Sequence, residues 1–365
     1  MKSFAPFSRQ IGLRLRYEDD ILIIRGPNGE CHRRVLYVNS YGMAKAFRLW
    51  DKGVYPGHHL WGCLELALQG YEVLIPEPTK TTGLRKRFAN DLKAAKIAFS
   101  HLSSNDVVYC GHNVLFWVPL LKAVKAIGCK VVGLLFAGEP LPFAAAYDGI
   151  VAHTPVAQTH AESLAPRTPC RHISWGIDLR FFHHYPYQPR FALSCGKTFR
   201  DFEVISQAWL KLSLPLTIVH PDPRSLHRMP EAVTLVSASG LGQEIYVPLI
   251  EEYYRYASVS LLTLMPDCSS RHAIGITNLF ESMASGRPVI VSRTSALTSE
   301  IDIELAGVGM YVDPSDADSL RKAVLWLHSH PAEASEMGAR GRQLCENHYN
   351  MRRFGHDLFS FLEEL

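Results

Sequence analysis

The chain has 365 residues, 47% hydrophobic and 20% charged, a composition ordinary for a globular protein with a large buried core. Its formal net charge of +3 is too small by itself to signal nucleic-acid binding, and none is expected. Eight scattered cysteines with no Cys-x-x-Cys pair exclude a zinc ribbon or a redox dithiol, and no apolar run approaches the ~20 residues of a membrane span.

At ~100–200 residues per domain, two domains are expected. Scattered cysteines, several in apolar runs, predict a reducing, cytoplasmic compartment; MKSFAPFSRQIG lacks the apolar core of a signal peptide, and the protein is expected to be peripheral at most on the inner face of a membrane. IGLRLRY and ILIIRG read as a hairpin around Glu18-Asp19-Asp20, followed by a turn at Pro27-Asn28-Gly29. RVLYVNS (34–40) is a short apolar strand leading into a long loop that contains glycine. Helical spacing over 58–70 ends at Gly70, and YEVLIPE (71–77) is the next strand. The unit then repeats, with helices over 84–99, 114–128 and 155–165 and strands over 106–111, 130–136 and 148–153. Apolar strands alternating with helices predict a parallel sheet covered on both faces.

Residues 183–191, HHYPYQPRF, carry two prolines and read as a linker, placing a boundary near 185–190. Alternation then restarts. Strands are predicted over 191–196, 216–220, 233–237, 259–265, 287–293 and 310–314, helices over 204–212, 247–257 and 278–285, and a mostly helical remainder. The fold class is therefore α/β, two Rossmann-like domains, and the loops that follow strands are the ones to read for ligands.

Two such loops stand out. Gly196-Lys197-Thr198-Phe199-Arg200-Asp201 follows FALSC. Its glycine admits close backbone approach, and its two cations can clamp phosphate oxygens, although a solvated turn carries the same residues. Gly275-Ile276-Thr277-Asn278 opens a helix whose first amides and positive dipole end suit a phosphate, with Thr277 or Asn278 as the cap. Glu281, one turn further on, can accept both hydroxyls of a ribose, or be a plain acid on a helix surface.

In order and spacing, SCGKTFRDF, YYRYASVSLLTLM, GITNLFESMASGRPVIVSR, GVGMYVDPSDADSLRKAV and MGARGRQLCENHYN resemble the donor domain of GT-B glycosyltransferases, in the large retaining family that uses nucleotide sugars. HISWGIDLRFF (172–182) is similar to that family's interdomain segment, and MRRFGHDLFSFLEEL to its final helix, which returns to the first domain. The resemblance implies a GT-B fold with a central cleft. It divides the chain into a hairpin extension (1–33), an acceptor domain (34–185), a nucleotide-sugar donor domain (190–349) and a returning helix (350–365).

It also implies roles. Lys197 and Arg200 neutralise the donor diphosphate, Gly196 and Thr198 line it, Gly275 to Asn278 supply amides, and Glu281 binds the ribose. YPGHHLWG takes the place of the acceptor loop, with Gly57 near the donor phosphates and Tyr55, His58 and His59 toward the acceptor. His112 and Glu139 follow first-domain strands, His112 on the acceptor side and Glu139 near the transferred sugar. The family's first glutamate, eight positions before Glu281, is here Ala273, so the sugar contacts depart from the pattern.

The implied reaction is metal-independent transfer with retention from a nucleoside-diphosphate sugar, UDP- rather than GDP-linked, to a small-molecule, glycan or lipid-linked acceptor. Arg85, Lys86, Arg87, Lys93 and Lys96 make 84–99 a basic amphipathic helix suited to an anionic membrane, or a solvated face. A non-catalytic GT-B-like subunit and a sugar-nucleotide epimerase are the competing readings; the first is favoured by Ala273 and opposed by retention of the diphosphate clamp. The base-binding loop is placed around Ser237–Gly242.

Overall fold

The computed structural model describes residues 6–29, 31–39, 42–79, 83–111, 116–135, 141–196, 198–226, 229–238, 246–266 and 273–365, without the side chains of 83–88 and 296. The chain forms two units, residues 1–174 with 351–365, and residues 175–350.

The first unit runs α1 (Phe7–Gln10), β1 (Arg14–Glu18), β2 (Ile21–Arg25), β3 (Arg34–Val38), α2 (Met43–Asp51), α3 (Cys63–Leu68), β4 (Glu72–Pro76), α4 (Gly83–His101), β5 (Val107–Cys110), α5 (Trp117–Ala123), β6 (Lys130–Leu135), β7 (Gly149–Ala152), α6 (Pro155–Leu164) and β8 (Cys170–His172). Its eight-stranded sheet has the order β1-β2-β4-β3-β5-β6-β7-β8. The hairpin strands are antiparallel and the rest of the sheet is parallel. Asp19 and Asp20 join β1 to β2 with φ of 44° and 60°, the two left-handed residues that match the twist of a tight hairpin. Leu36, Val108, Val131 and Ile150, from four neighbouring strands, form one core with Ala94 and Ala98 of α4.

The second unit runs β9 (Phe191–Cys195), α7 (Phe202–Trp209), β10 (Leu216–His220), β11 (Val233–Ser237), α8 (Tyr246–Pro248), β12 (Ala257–Leu262), α9 (Ile276–Ala284), β13 (Val289–Ser292), α10 (Ser295–Thr298), β14 (Gly309–Val312), α11 (Ala317–Ser329) and α12 (Pro331–Asn347). The final helix, α13 (Met351–Glu364), belongs to the first unit. Arg33 Nη1 donates to Leu362 O at 2.6 Å, and Arg171 pairs with Glu364, tying α13 down.

Four local expectations are corrected. The helix expected over 58–70 is a 3₁₀ turn, Gly57–Leu60, then α3, because Trp61 (φ 53°) and Gly62 (φ 88°) are left-handed. Glycine is required there, since a Cβ at Gly62 would lie 2.8 Å from Leu358 and 3.0 Å from Phe354 of α13. The loop expected before it contains α2, whose buried Met43, Phe47 and Trp50 recur at helical spacing. The helix expected over 114–128 ends at Ala123, with Lys125 left-handed at φ 58°. The helix expected over 247–257 is α8, a π-turn (Leu249–Tyr253) and a 3₁₀ turn (Tyr254–Tyr256).

The division between units falls after Ser174, earlier than 185–190. The proline-containing segment is fastened to the second unit. Phe182 O accepts from Arg342 at 2.7 Å, Tyr185 O from Arg287, and Arg190 N–H donates to Tyr256 O at 2.9 Å.

His153, at the end of β7, is buried between the rings of Trp61 and Phe354, and its Nδ1–H donates to Ile173 O at 3.0 Å. Burial pushes its pKa down to about 4. The unfolded chain protonates it near 6.5, so the folded state loses stability as pH falls from about 6.5 to 4, by up to about 3 kcal/mol. Urea unfolding at pH 7, 5.5 and 4.5 is expected to show that slope, reduced in His153→Phe.

Candidate functional site

All described strand pairs of the second sheet are parallel, in the order β11-β10-β9-β12-β13-β14. Counted from β9, the order reverses between the first strand, β9, and the fourth, β12. At such a reversal a doubly wound sheet usually holds its ligand, outside the carboxyl ends of the strands. The two loops singled out in the sequence are the ones that leave β9 and β12.

After β9 the chain turns through Gly196, at φ 97°, where a Cβ would lie 3.0 Å from Asn278 Oδ1 and 3.2 Å from Arg200 Nη2. Any other residue at 196 would strain the backbone and crowd both groups. Phe199 is left-handed at φ 52°, and Arg200 then bridges antiparallel to Leu264. Asp201 locks the loop. Its Oδ1 caps α7 through Val204 N at 2.9 Å, its Oδ2 accepts from Ser315 Oγ at 2.7 Å, and its backbone N–H donates to Thr263 O at 2.9 Å.

Arg200 is 4% exposed. Its Nε donates to Cys195 O at 3.2 Å, Nη1 to Thr198 O at 3.3 Å, and Nη2 to Asn278 Oδ1 at 2.5 Å. The cation expected to clamp a phosphate is thus aimed by its own loop and joined to α9.

The start of α9 is capped by Gly275, at φ 88°, with no side-chain cap bond; Thr277 and Asn278 lie inside the first turn, contrary to the capping role expected of them. The preceding left-handed residue, Ala273 (φ 71°), folds the chain back so that Ile276 N–H donates to Ala273 O at 3.3 Å. The amides of Thr277 and Asn278 are then the first-turn donors directed out of the helix end.

Glu281 is 1% exposed, which removes the surface-acid reading. Its Oε2 accepts from Tyr254 Oη at 3.1 Å and from Asn278 Nδ2 at 3.2 Å. A buried carboxylate is tolerable because donors hold it. One line of hydrogen bonds therefore runs Tyr254–Glu281–Asn278–Arg200. Cys195 sits beside it; burial and then the charge of Glu281 push its thiol pKa up, opposed by Arg200.

The structure thus brings together Gly196, Thr198, Arg200, Asn278 and Glu281, with Gly275, Ile276 and Thr277 at the helix start. Lys197, His112 and Glu139 lie outside the described residues, as do 239–242 of the expected base loop. In the first unit, Gly57 and His58 are buried and Tyr55 and His59 half-buried; the His59 ring lies 4.3 Å from His58 and 5.2 Å from Tyr55. Lys93 leaves the expected basic face of α4, since its Nζ donates to Glu77 O at 3.1 Å. The side chains of Arg85, Lys86 and Arg87 are outside the described residues. Sequence reasoning missed Tyr254, which stands in the aromatic run YYRY with no spacing signal linking it to Glu281.

No protein-family model matches the chain. The D-rhamnosyltransferase WbpZ of Pseudomonas aeruginosa is 30% identical over 164 residues, 43% of this chain and 42% of that protein. The match therefore spans less than half the length of that curated relative. Among solved structures, the sucrose-phosphate synthase of Thermosynechococcus elongatus superposes with a TM-score of 0.68 at 15% identity, over 91% of this chain and 99% of that one. Anabaena HepE in complex with UDP and glucose gives 0.62 at 11% identity, over 92% and 100%. The trehalose-6-phosphate synthase OtsA gives 0.64 at 10% identity, over 91% and 99%.

Proposed function

We propose that this chain, which has the GT-B fold, is a glycosyltransferase that moves a sugar from a nucleoside-diphosphate sugar to an acceptor hydroxyl with retention of anomeric configuration. The observation that carries this reading is the hydrogen-bonded line Arg200–Asn278–Glu281 at the switch point of the second sheet. It sets a cation, a helix amino end and a carboxylate in the sequence that a phosphate followed by a ribose requires. The UDP in the HepE structure supports UDP over GDP, and the name of the curated relative supports including a deoxyhexose among the donors.

In this reading the diphosphate leaves as the acceptor oxygen bonds to the anomeric carbon from the same face, and the leaving phosphate takes the acceptor proton. Arg200, Lys197 and the amides of Thr277 and Asn278 stabilise the charge developing on that phosphate, the work a divalent cation does elsewhere. Ala273 accepts no hydrogen bond from the sugar through its methyl group, so sugar selection falls to other residues, Glu139 among them. Gly57, Tyr55, His58, His59 and His112 are assigned to the acceptor side. No helix among the described residues is long and apolar enough to cross a membrane. On α4, Leu92, Lys96 and Phe99 form an exposed row one and two turns apart, which supports a surface contact and a lipid-linked acceptor.

Two measurements test the reading. UDP is expected to raise the melting temperature, because a ligand bound only by the folded state stabilises by RT ln(1 + [L]/Kd), about 2.7 kcal/mol at a hundred times Kd. Nucleotide release from UDP- and GDP-sugars, with and without glycan or lipid acceptors, is expected to be acceptor-dependent, with the product anomer read by NMR. If neither nucleoside diphosphate shifts the melting temperature, the donor-site assignment is wrong. Binding without acceptor-dependent release would favour a non-catalytic subunit.

A further inference from the structure

We infer that Tyr254 is a positioning residue that fixes the Glu281 carboxylate as a reader of sugar hydroxyls and so sets the preference for a ribonucleotide; this rests on the donor-site reading above. The chain reaches Tyr254 through an irregular passage. The π-turn Leu249–Tyr253 runs into the 3₁₀ turn Tyr254–Tyr256, which delivers the chain to β12. Single π-turns are rare and occur frequently at functional sites. Tyr254, the residue that follows this turn, is fully buried, with its hydroxyl 3.1 Å from Glu281 Oε2.

That contact reaches the carboxylate from outside its own helix. From its own helix α9, Asn278, three residues back, reaches the same oxygen through Nδ2 at 3.2 Å. Two donors from different elements, meeting on one oxygen, set the plane of the carboxylate. A carboxylate accepts about four hydrogen bonds, so accepting these two is compatible with reading a diol. Asn278 also accepts from Arg200 Nη2, so the same amide relates the carboxylate to the phosphate cation. Burial, followed by the charge of Glu281, holds the Tyr254 phenol well above its ordinary pKa, so it remains a donor throughout the physiological range.

This division of labour separates two properties of nucleotide binding. Tyr254 acts on hydroxyl discrimination, whereas Asn278 acts on discrimination and on diphosphate affinity together. UDP and GDP would each be titrated calorimetrically against their 2′,3′-dideoxy counterparts, with wild type, Tyr254→Phe and Asn278→Ala, after urea unfolding has confirmed that each variant is folded. Wild type is expected to prefer the ribonucleotide by about tenfold or more, the worth of a hydrogen bond to a charged group. In Tyr254→Phe that preference is expected to fall to within about threefold while dideoxynucleotide affinity stays near wild type. A merely structural tyrosine would weaken both nucleotides alike and leave the ratio intact, and that result overturns the proposal. Should Tyr254→Phe not fold, Asn278→Ala decides: an unchanged ratio there overturns it too. A wild-type protein that binds neither nucleotide, or binds ribo and dideoxy forms equally, defeats the ribose site itself and with it the proposal.

Discussion

Arg287→Ala is expected to cost the second unit about 3–5 kcal/mol, a loss in the upper range for a single truncation. Arg287 is fully buried, and burial lowers its pKa to about 10. Its Nε donates to Ser285 O at 3.0 Å, Nη1 to Arg255 O at 3.4 Å, and Nη2 to Tyr185 O and to Pro186 O, while the guanidinium carbon stands 5.5 Å from the centre of the Tyr187 ring. Carbonyl dipoles from three segments thus converge on one cation. Alanine removes the donors to all four carbonyls; the buried Ser285 O alone bears a desolvation of roughly 1–3 kcal/mol, and the half-buried ones add to it. Lysine is expected to recover less than half, because a point-like ammonium cannot span acceptors arranged for a planar fork. Urea denaturation checks both variants through the midpoint at constant slope. A loss under about 1 kcal/mol for alanine would mean that water or neighbouring donors replace the guanidinium.

The same cation explains why 183–191 looks like a linker in the sequence and is none in the fold. HHYPYQPRF has the composition of a loose connector, and two prolines do break the local pattern. What fixes it is a partner about a hundred residues further along the chain, which no local rule reveals. Elements whose determinants are local were legible. β10 and β11 fall at 216–220 and 233–237 as expected, because short apolar runs bounded by turn residues carry their own signal. The break at Trp61-Gly62 was not legible, because it is imposed by Phe354 and Leu358 from the opposite end of the chain. The missed α2 had a local signal in Met43, Phe47 and Trp50, masked by the flanking Gly42 and Gly53.

The candidate site divides in the same way. Arg200 and Glu281 were singled out in the sequence by their loops and by the family resemblance, and the structure shows both buried and joined through Asn278. The bond between them through Asn278 was only half legible. Asn278 reads naturally as a helix cap, and it became a bridge because two left-handed residues, Ala273 and Gly275, hand the cap to the backbone. Tyr254 was illegible, since its aim depends on a π-turn that a regular helix over 247–257 would not make.

Arg200→Ala is expected to lower turnover by about 10²–10³, the cost of removing one donor aimed at developing charge. The more informative variant is Arg200→Lys. If the diphosphate needs only a positive charge, lysine restores most of the activity. The geometry argues otherwise. Arg200 directs separate nitrogens at Cys195 O, Thr198 O and Asn278 Oδ1, and those bonds fix where the guanidinium plane lies. An ammonium has three donors but no plane, and one placed to reach Asn278 gives up the two carbonyls. Lysine is therefore expected to stay at least about tenfold below wild type in turnover, with weakened diphosphate binding. Unfolding measurements separate this from a loss of fold, since the lysine retains the aliphatic stem that packs in the loop. Full activity in Arg200→Lys would show that charge alone acts on the donor, and would reduce the line from Arg200 through Asn278 to Glu281 to a device for holding α9 in place.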